Sequence, residues 1–174
     1  TIDADEVIVP LVDGQPQLDQ KVKRLPSFKG RDRIDIKTHL GNCVYSRFQF
    51  FKDGLNWKWT YPVHEVCGCD DSHSSMLIDN ICNVPRTDGA RSVDPNKYLR
   101  DALQFETFLL DHPKDARAWF YLAQSYRDGG QLQKALAAIE EALKHSVWDE
   151  ERYMLRLRKA MYSLQAGAPE SLVV

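Results

Sequence analysis

Hydrophobic positions along the chain change period once, near residue 94. Before it, apolar residues alternate with polar ones over short stretches. These are Ile34-Asp35-Ile36, the aromatic-rich Val44-Tyr45-Ser46-Arg47-Phe48-Gln49-Phe50-Phe51, and Asn56-Trp57-Lys58-Trp59-Thr60-Tyr61. Alternating aromatic and β-branched residues suit a half-buried pleated surface, so each stretch is expected to be a strand, with a further strand from Met76 to Val84. Lys52-Asp53-Gly54 supplies a hairpin turn, since Asp-Gly accepts positive φ between the strands it joins. A short helix is expected from Gln15 to Arg24.

From Asp94-Pro95 the spacing is helical. Tyr98, Leu99, Ala102, Phe105 and Leu109 recur on one face, Pro95 suits a first turn and Pro113 stops the helix. A second helix is expected from Asp115 to Asp128, closed by Gly129-Gly130 with a left-handed cap. A third runs from Gln131 to His145 and a fourth from Asp149 to about Leu164. Such short connections imply antiparallel hairpins stacked in sequence. Arg86-Thr87-Asp88-Gly89-Ala90-Arg91-Ser92 reads as the linker, dividing an α/β part at residues 1–93 from an all-α part at 94–174.

Trp119 and Tyr126, with Leu122 and the small Ala123 between them, are followed by Gly130 and by Ala135, Ile139 and Ala142. This pattern resembles the tetratricopeptide repeat, whose small residues let paired helices approach while aromatics fill the flanks. The proline that usually closes the repeat is replaced by Val147. One repeat length earlier, Phe105 and Pro113 match, so Tyr98–Asp111 resembles the second helix of a preceding repeat. Arrays of this kind bind partners or prop a neighbouring domain.

Composition narrows the function classes. With 43% hydrophobic and 28% charged residues the chain has the balance of a globular protein. Its net charge of −2 lacks the basic footprint that general nucleic-acid binding needs. No apolar run reaches the length of a membrane span, and charges interrupt every stretch that resembles a signal peptide core. Four cysteines in 174 residues do not suggest a disulfide scaffold, so a reduced, cytoplasmic setting is expected.

Two constellations carry candidate chemistry. Asp3-Ala4-Asp5-Glu6 runs into Val7-Ile8-Val9, an arrangement that places two carboxylates at the end of a buried strand. Such a pair can hold a hard divalent ion and the phosphates it bridges, although an Asp-x-Asp also suits a solvated turn. The second is Trp57-Lys58-Trp59-Thr60-Tyr61-Pro62-Val63-His64-Glu65, a strand ending in a His-Glu pair. Its plainer reading is a half-buried histidine against tryptophan, with Glu65 in solvent.

Taken in order, several motifs resemble the family 2 glycosyltransferases that carry tetratricopeptide-like C-terminal helices. They are Asp-Ala-Asp-Glu, Arg47-Phe48, the Trp-rich strand closing in Pro-Val-His-Glu, Asp-Gly-Ala-Arg-Ser, the helix start Asp-Pro-Asn-Lys-Tyr, and Trp-Phe-Tyr-Leu-Ala-Gln-Ser-Tyr. The resemblance runs from Thr1 to about Tyr162. It implies the C-terminal part of a nucleotide-diphospho-sugar transferase fold of the GT-A type, followed by the helical hairpins. Asp5 would be the direct ligand of Mg²⁺ or Mn²⁺, Asp3 would lie near the ribose or the metal's water shell, and His64 would add a metal or diphosphate contact. Glu65 is the candidate base, while Arg86 and Arg91 would close over the diphosphate or act as plain surface charge. The implied reaction is inverting transfer from a nucleotide-sugar donor to a protein or glycan acceptor. In that family the strands gripping the nucleotide base precede the metal motif, so a missing N-terminal half or a companion chain is expected, and this chain alone is expected neither to bind donor tightly nor to turn over.

Two other classes stay open. Cys67-Gly68-Cys69, His73 and Cys82 lie close in sequence and could form a zinc site, although their spacing is not that of a common ribbon. Alternatively the chain is a non-enzymatic scaffold whose helices bind a peptide.

Overall fold

The computed structural model describes residues 6–86 and 94–168. The alternating stretches form strands β1 (Glu6–Val12), β2 (Gln15–Pro16), β3 (Arg33–Leu40), β4 (Cys43–Phe51), β5 (Trp57–Thr60), β6 (Val66–Cys69) and β7 (Ser75–Pro85). The helical stretches form α1 (Lys97–Asp111), α2 (Ala116–Asp128), α3 (Leu132–His145) and α4 (Asp149–Gln165). A mixed β-sheet domain is thus followed by an all-helical domain of four helices. The linker at residues 87–93 lies outside the described residues.

β1, β2, β3, β4 and β7 form one sheet in the order β2-β1-β7-β3-β4. β7 runs antiparallel to β1 and parallel to β3, so the sheet is mixed. Neighbouring residues of β7 point to opposite faces, and each face has its own apolar cluster. On one, Ile81 joins Ile34 and Ile36, with Phe28, Phe50 and Met76 packed around them. On the other, Cys82 joins Val9 and Leu11. Ile34 and Ile36 are fully buried, each contributing about 1.5–3 kcal/mol by removal from water.

The turns differ from expectation. Asp13 (φ 49°) and Gly14 (φ 74°) join β1 to β2, pairing Val12 with Gln15 across a two-residue loop. Positive φ at both central residues matches the twist of the flanking strands, and Gly14 takes it without strain. Gln15–Pro16 therefore enters the sheet, and residues 17–24 form no helix. Pro16 fits this edge strand, because it has no N–H to donate. Asp53-Gly54 does turn, with Gly54 at φ 93° and its N–H donating to the Asp53 carboxylate. It joins no hairpin, however: β4 pairs with β3, while β5 pairs with β6 in a separate two-stranded sheet.

Thr38 and Asn83 face each other between β3 and β7, and both are fully buried. Neither the Thr38 hydroxyl nor either amide atom of Asn83 has a hydrogen-bond partner among the described residues. A buried hydroxyl without a partner costs about 1–3 kcal/mol. Thr38→Val, which removes it at nearly constant volume, is therefore expected to leave stability within about 1 kcal/mol or to raise it. Urea unfolding measures this; a loss of more than about 2 kcal/mol would mean that an ordered water satisfies the pair.

The described chain divides into two compact units. One comprises the residues up to Lys58 together with those from Cys67 onward to Arg86; the other comprises Trp59–Val66 together with the residues from Asp94 onward. In the helical unit each helix packs on the next, through connections at residues 112–115, 129–131 and 146–148. Phe105, Leu109, Leu122, Ile139 and Leu155 form its core, with Ala118, Ala123, Ala135 and Ala142 at close contacts. The Asp115 carboxylate caps α2 by accepting from the Ala118 N–H at 2.8 Å. At the other end Gly130 takes φ 76°, as expected, while a side chain at Gly129 would run into Leu99 of α1. The Tyr126 hydroxyl donates to the Glu106 carboxylate, joining α2 to α1, and burial followed by this carboxylate pushes the phenol's pKa well up.

Candidate functional site

The expected site residues fall into three groups. His64 and Glu65 sit together on the loop between β5 and β6, and both are exposed. Arg86 follows β7 and lines a groove of about 640 Å³ in the sheet unit, together with Val7, Val9, Lys21 and Val84. Asp3, Asp5 and Arg91 lie outside the described residues. β1 begins at Glu6, directly after the Asp-x-Asp motif. Glu6 itself is buried and held by Arg47, whose Nη2 lies 2.7 Å from each carboxylate oxygen.

The His64 loop has an unusual backbone. Tyr61 (φ 72°) and His64 (φ 54°) both occupy the left-handed region, which costs an ordinary residue about 1–2 kcal/mol. Strain of this kind persists only where surrounding contacts fix it. At the neck the Thr60 hydroxyl donates to the Val66 carbonyl at 3.1 Å. The remaining contacts come from the helical unit. Val63 is 4% exposed and belongs to the helical core. The Tyr61 ring packs on Phe108 at 5.5 Å, and its hydroxyl donates to the Asp115 carboxylate at 3.3 Å. Burial, then the Asp115 charge, raises the pKa of that phenol and keeps it a donor.

His64 stacks on Tyr121, with ring centres 4.4 Å apart and planes inclined by 23°. This differs from the expected half-buried histidine against tryptophan: the imidazole is exposed, and the ring beneath it is a tyrosine from α2. Arg117 places its guanidinium 4.8 Å from the Tyr121 ring and 5.3 Å from the Tyr61 ring. Tyr61, Asp115, Arg117 and Tyr121 were not among the expected site residues. The signal available for two of them was the four-residue spacing of Arg117 and Tyr121, which sets them on one helix face.

The cysteines and His73 do not gather. Cys82 is fully buried in β7 opposite Val9, and Cys67 is buried in β6. Burial pushes both thiols up, away from the thiolate that zinc requires. His73 instead packs edge-on against Trp57 at 5.0 Å. Among the described residues no three His, Cys, Asp or Glu side chains form a group able to hold a metal ion. All four cysteines are free thiols. Among the described residues no helix is long and apolar enough to cross a membrane.

No family model matches this chain, and no curated protein matches it either.

Proposed function

We propose that this chain belongs to a nucleotide-sugar glycosyltransferase, with a GT-A-type sheet that carries the Asp-x-Asp motif, followed by tetratricopeptide-like helices. The reading is supported above all by the His64–Glu65 loop. An imidazole and a carboxylate stand exposed at its tip, on a backbone strained at two non-glycine residues. Strain held in place by packing is concentrated at functional sites. The ordered motifs from Asp-Ala-Asp-Glu to the Trp-Phe-Tyr helix add the transferase class.

In this reading Asp5 and His64 hold the divalent cation, and Asp3, Arg86 and Arg91 face the donor. A carboxylate with an imidazole suits Mn²⁺ better than Mg²⁺, which prefers oxygen ligands. When bound, the ion would neutralise charge on the departing diphosphate. Glu65 takes the proton from the acceptor hydroxyl, and its exposure at the loop tip leaves it within reach of an incoming acceptor. The acceptor is a protein or glycan.

Glu65→Gln tests the reading most directly. The neutral amide keeps the shape but cannot accept the proton, so kcat for sugar transfer with Mn²⁺ and a panel of nucleotide-sugars is expected to fall about 10²–10⁴-fold. Donor KM should change little, and stability should not change, because Glu65 is exposed. Unaltered turnover in the variant would remove Glu65 from the chemistry.

A scaffold reading draws on the apolar surface of the helical unit, where Leu110 is 80% exposed and Trp148 63%. Alanine at both Asp3 and Asp5 separates the two readings. It leaves a scaffold's binding intact and abolishes metal-dependent transfer.

A further inference from the structure

We propose that Tyr121 is a positioning residue for His64, so that the helical unit fixes the orientation of a group used at the reacting centre. The inference rests on the transferase reading for what His64 does, but not for how it is held.

A five-residue connection between two short strands does not fix a side chain at its tip. The β5–β6 loop is closed at its neck by the pairing of β5 with β6 and by the bond from the Thr60 hydroxyl to the Val66 carbonyl. Beyond that bond, Tyr61 and His64 stay in the left-handed region although neither is glycine. Three anchors oppose that strain, and the helical unit supplies each of them. Val63 is inserted in the helical core. Tyr61 lies on Phe108 and is bonded to Asp115, the residue that caps α2. His64 lies on Tyr121, whose own ring is nearly parallel to that of Phe105 at 6.1 Å.

The chemistry of the stack suits the task. An imidazole binds metals and accepts protons through nitrogen lone pairs in the plane of its ring. A neighbour against the ring face fixes the tilt of that plane without competing for the nitrogens. Tyr121 provides such a neighbour. Arg117, one helical turn earlier, fixes Tyr121 in turn by placing its guanidinium near both tyrosine rings. Loop and helix thus share one cation, and shifting any member loosens the stack on the imidazole.

Tyr121→Leu and Tyr121→Phe test the inference in the full chain. The first readout is the pair of His64 ring C–H signals in NMR, assigned by their loss in His64→Gln. Stacking on an aromatic ring moves them upfield. In Tyr121→Leu they should return toward the positions of a free histidine, and in Tyr121→Phe they should stay. The second readout is Mn²⁺-dependent sugar transfer. Tyr121→Leu should lower kcat roughly ten- to hundredfold, with a smaller change in donor KM, and Tyr121→Phe should restore it. Arg117→Gln leaves the ring in place and loosens it, so it should move the same signals less. This second variant keeps the test decisive if Tyr121→Leu folds poorly. His64 signals that stay put in both Tyr121→Leu and Arg117→Gln overturn the inference. Signals that move while transfer holds at wild-type rate also overturn it, since the orientation then serves no reaction. A wild-type protein that transfers no sugar even when the expected N-terminal half or companion chain is supplied counts against the transferase reading, and the NMR comparison still decides whether Tyr121 holds His64.

Discussion

Phe105→Ala should cost the helical unit about 3–5 kcal/mol, the usual range for removing a buried phenylalanine ring. Phe105 is fully buried and is the largest such side chain among the described residues. It comes from the middle of α1 and packs with Leu109, Leu122 and Ile139. α2 is capped at both ends, so it has little freedom to collapse into the space the ring leaves. For a unit of this size the melting temperature should fall by roughly 12 °C or more, read from the loss of helical circular dichroism. Leu110→Ala is the contrast. That neighbour is 80% exposed, and truncating it should change stability by less than about 0.5 kcal/mol. Equal effects at the two positions would mean that α1 presents a different face.

That contrast was readable from spacing alone. Tyr98, Leu99, Ala102, Phe105 and Leu109 mark a stripe, of which Ala102, Phe105 and Leu109 are buried while Tyr98 and Leu99 at its start are exposed. Pro113 and the Gly129-Gly130 pair bounded the helices correctly because each acts through its own backbone restriction. Ile34-Asp35-Ile36 likewise announced β3 by alternation. What periodicity does not encode is pairing. Nothing local to Ile81-Cys82-Asn83 states that β7 lies between an antiparallel neighbour and a parallel one. The Asp13-Gly14 turn had a readable signal, and the helix expected over Gln15–Arg24 gives way to the edge pairing of Gln15–Pro16 with β1.

The candidate residues could be named from sequence, but not their surroundings. His64 and Glu65 were identified by their place after a Trp-rich strand, and both lie exposed on one loop. The same strand suggested tryptophan as the ring beside the histidine. Tyr121 takes that place from 57 positions along the chain (121 − 64), a contact no local pattern carries. The domain boundary shows the same limit. Residues 59–66 precede the linker in sequence but pack with helices that follow it, because Val63 and Tyr61 find apolar partners there. A loop that carries the proposed chemistry is thus held by the part of the chain whose repeats suggested an accessory role.

Arg47→Met is expected to cost the sheet unit about 2–3 kcal/mol. Glu6 has a side chain only 4% exposed, and Arg47 brings one guanidinium nitrogen to 2.7 Å from both its oxygens and 3.2 Å from Gln49 Oε1. The residue register puts Glu6 and Arg47 on the face that also carries Thr38 and Asn83, the strands β7 and β3 lying between their own. Removing one member of a buried ion pair costs more than the pair contributes, because the remaining charge keeps its desolvation penalty. Arg47 is 34% exposed, so water screens part of the loss and the lower end of the usual 3–5 kcal/mol is the better expectation. The double variant Glu6→Leu with Arg47→Met removes both charges and should recover most of the stability that Arg47→Met loses. Urea unfolding followed by the fluorescence of Trp57, with the other three tryptophans replaced by Phe in every variant, measures both. If the double variant is as unstable as the sum of the two single variants, the pair is not coupled. Arg47 would then stabilise the sheet through its aliphatic stem alone.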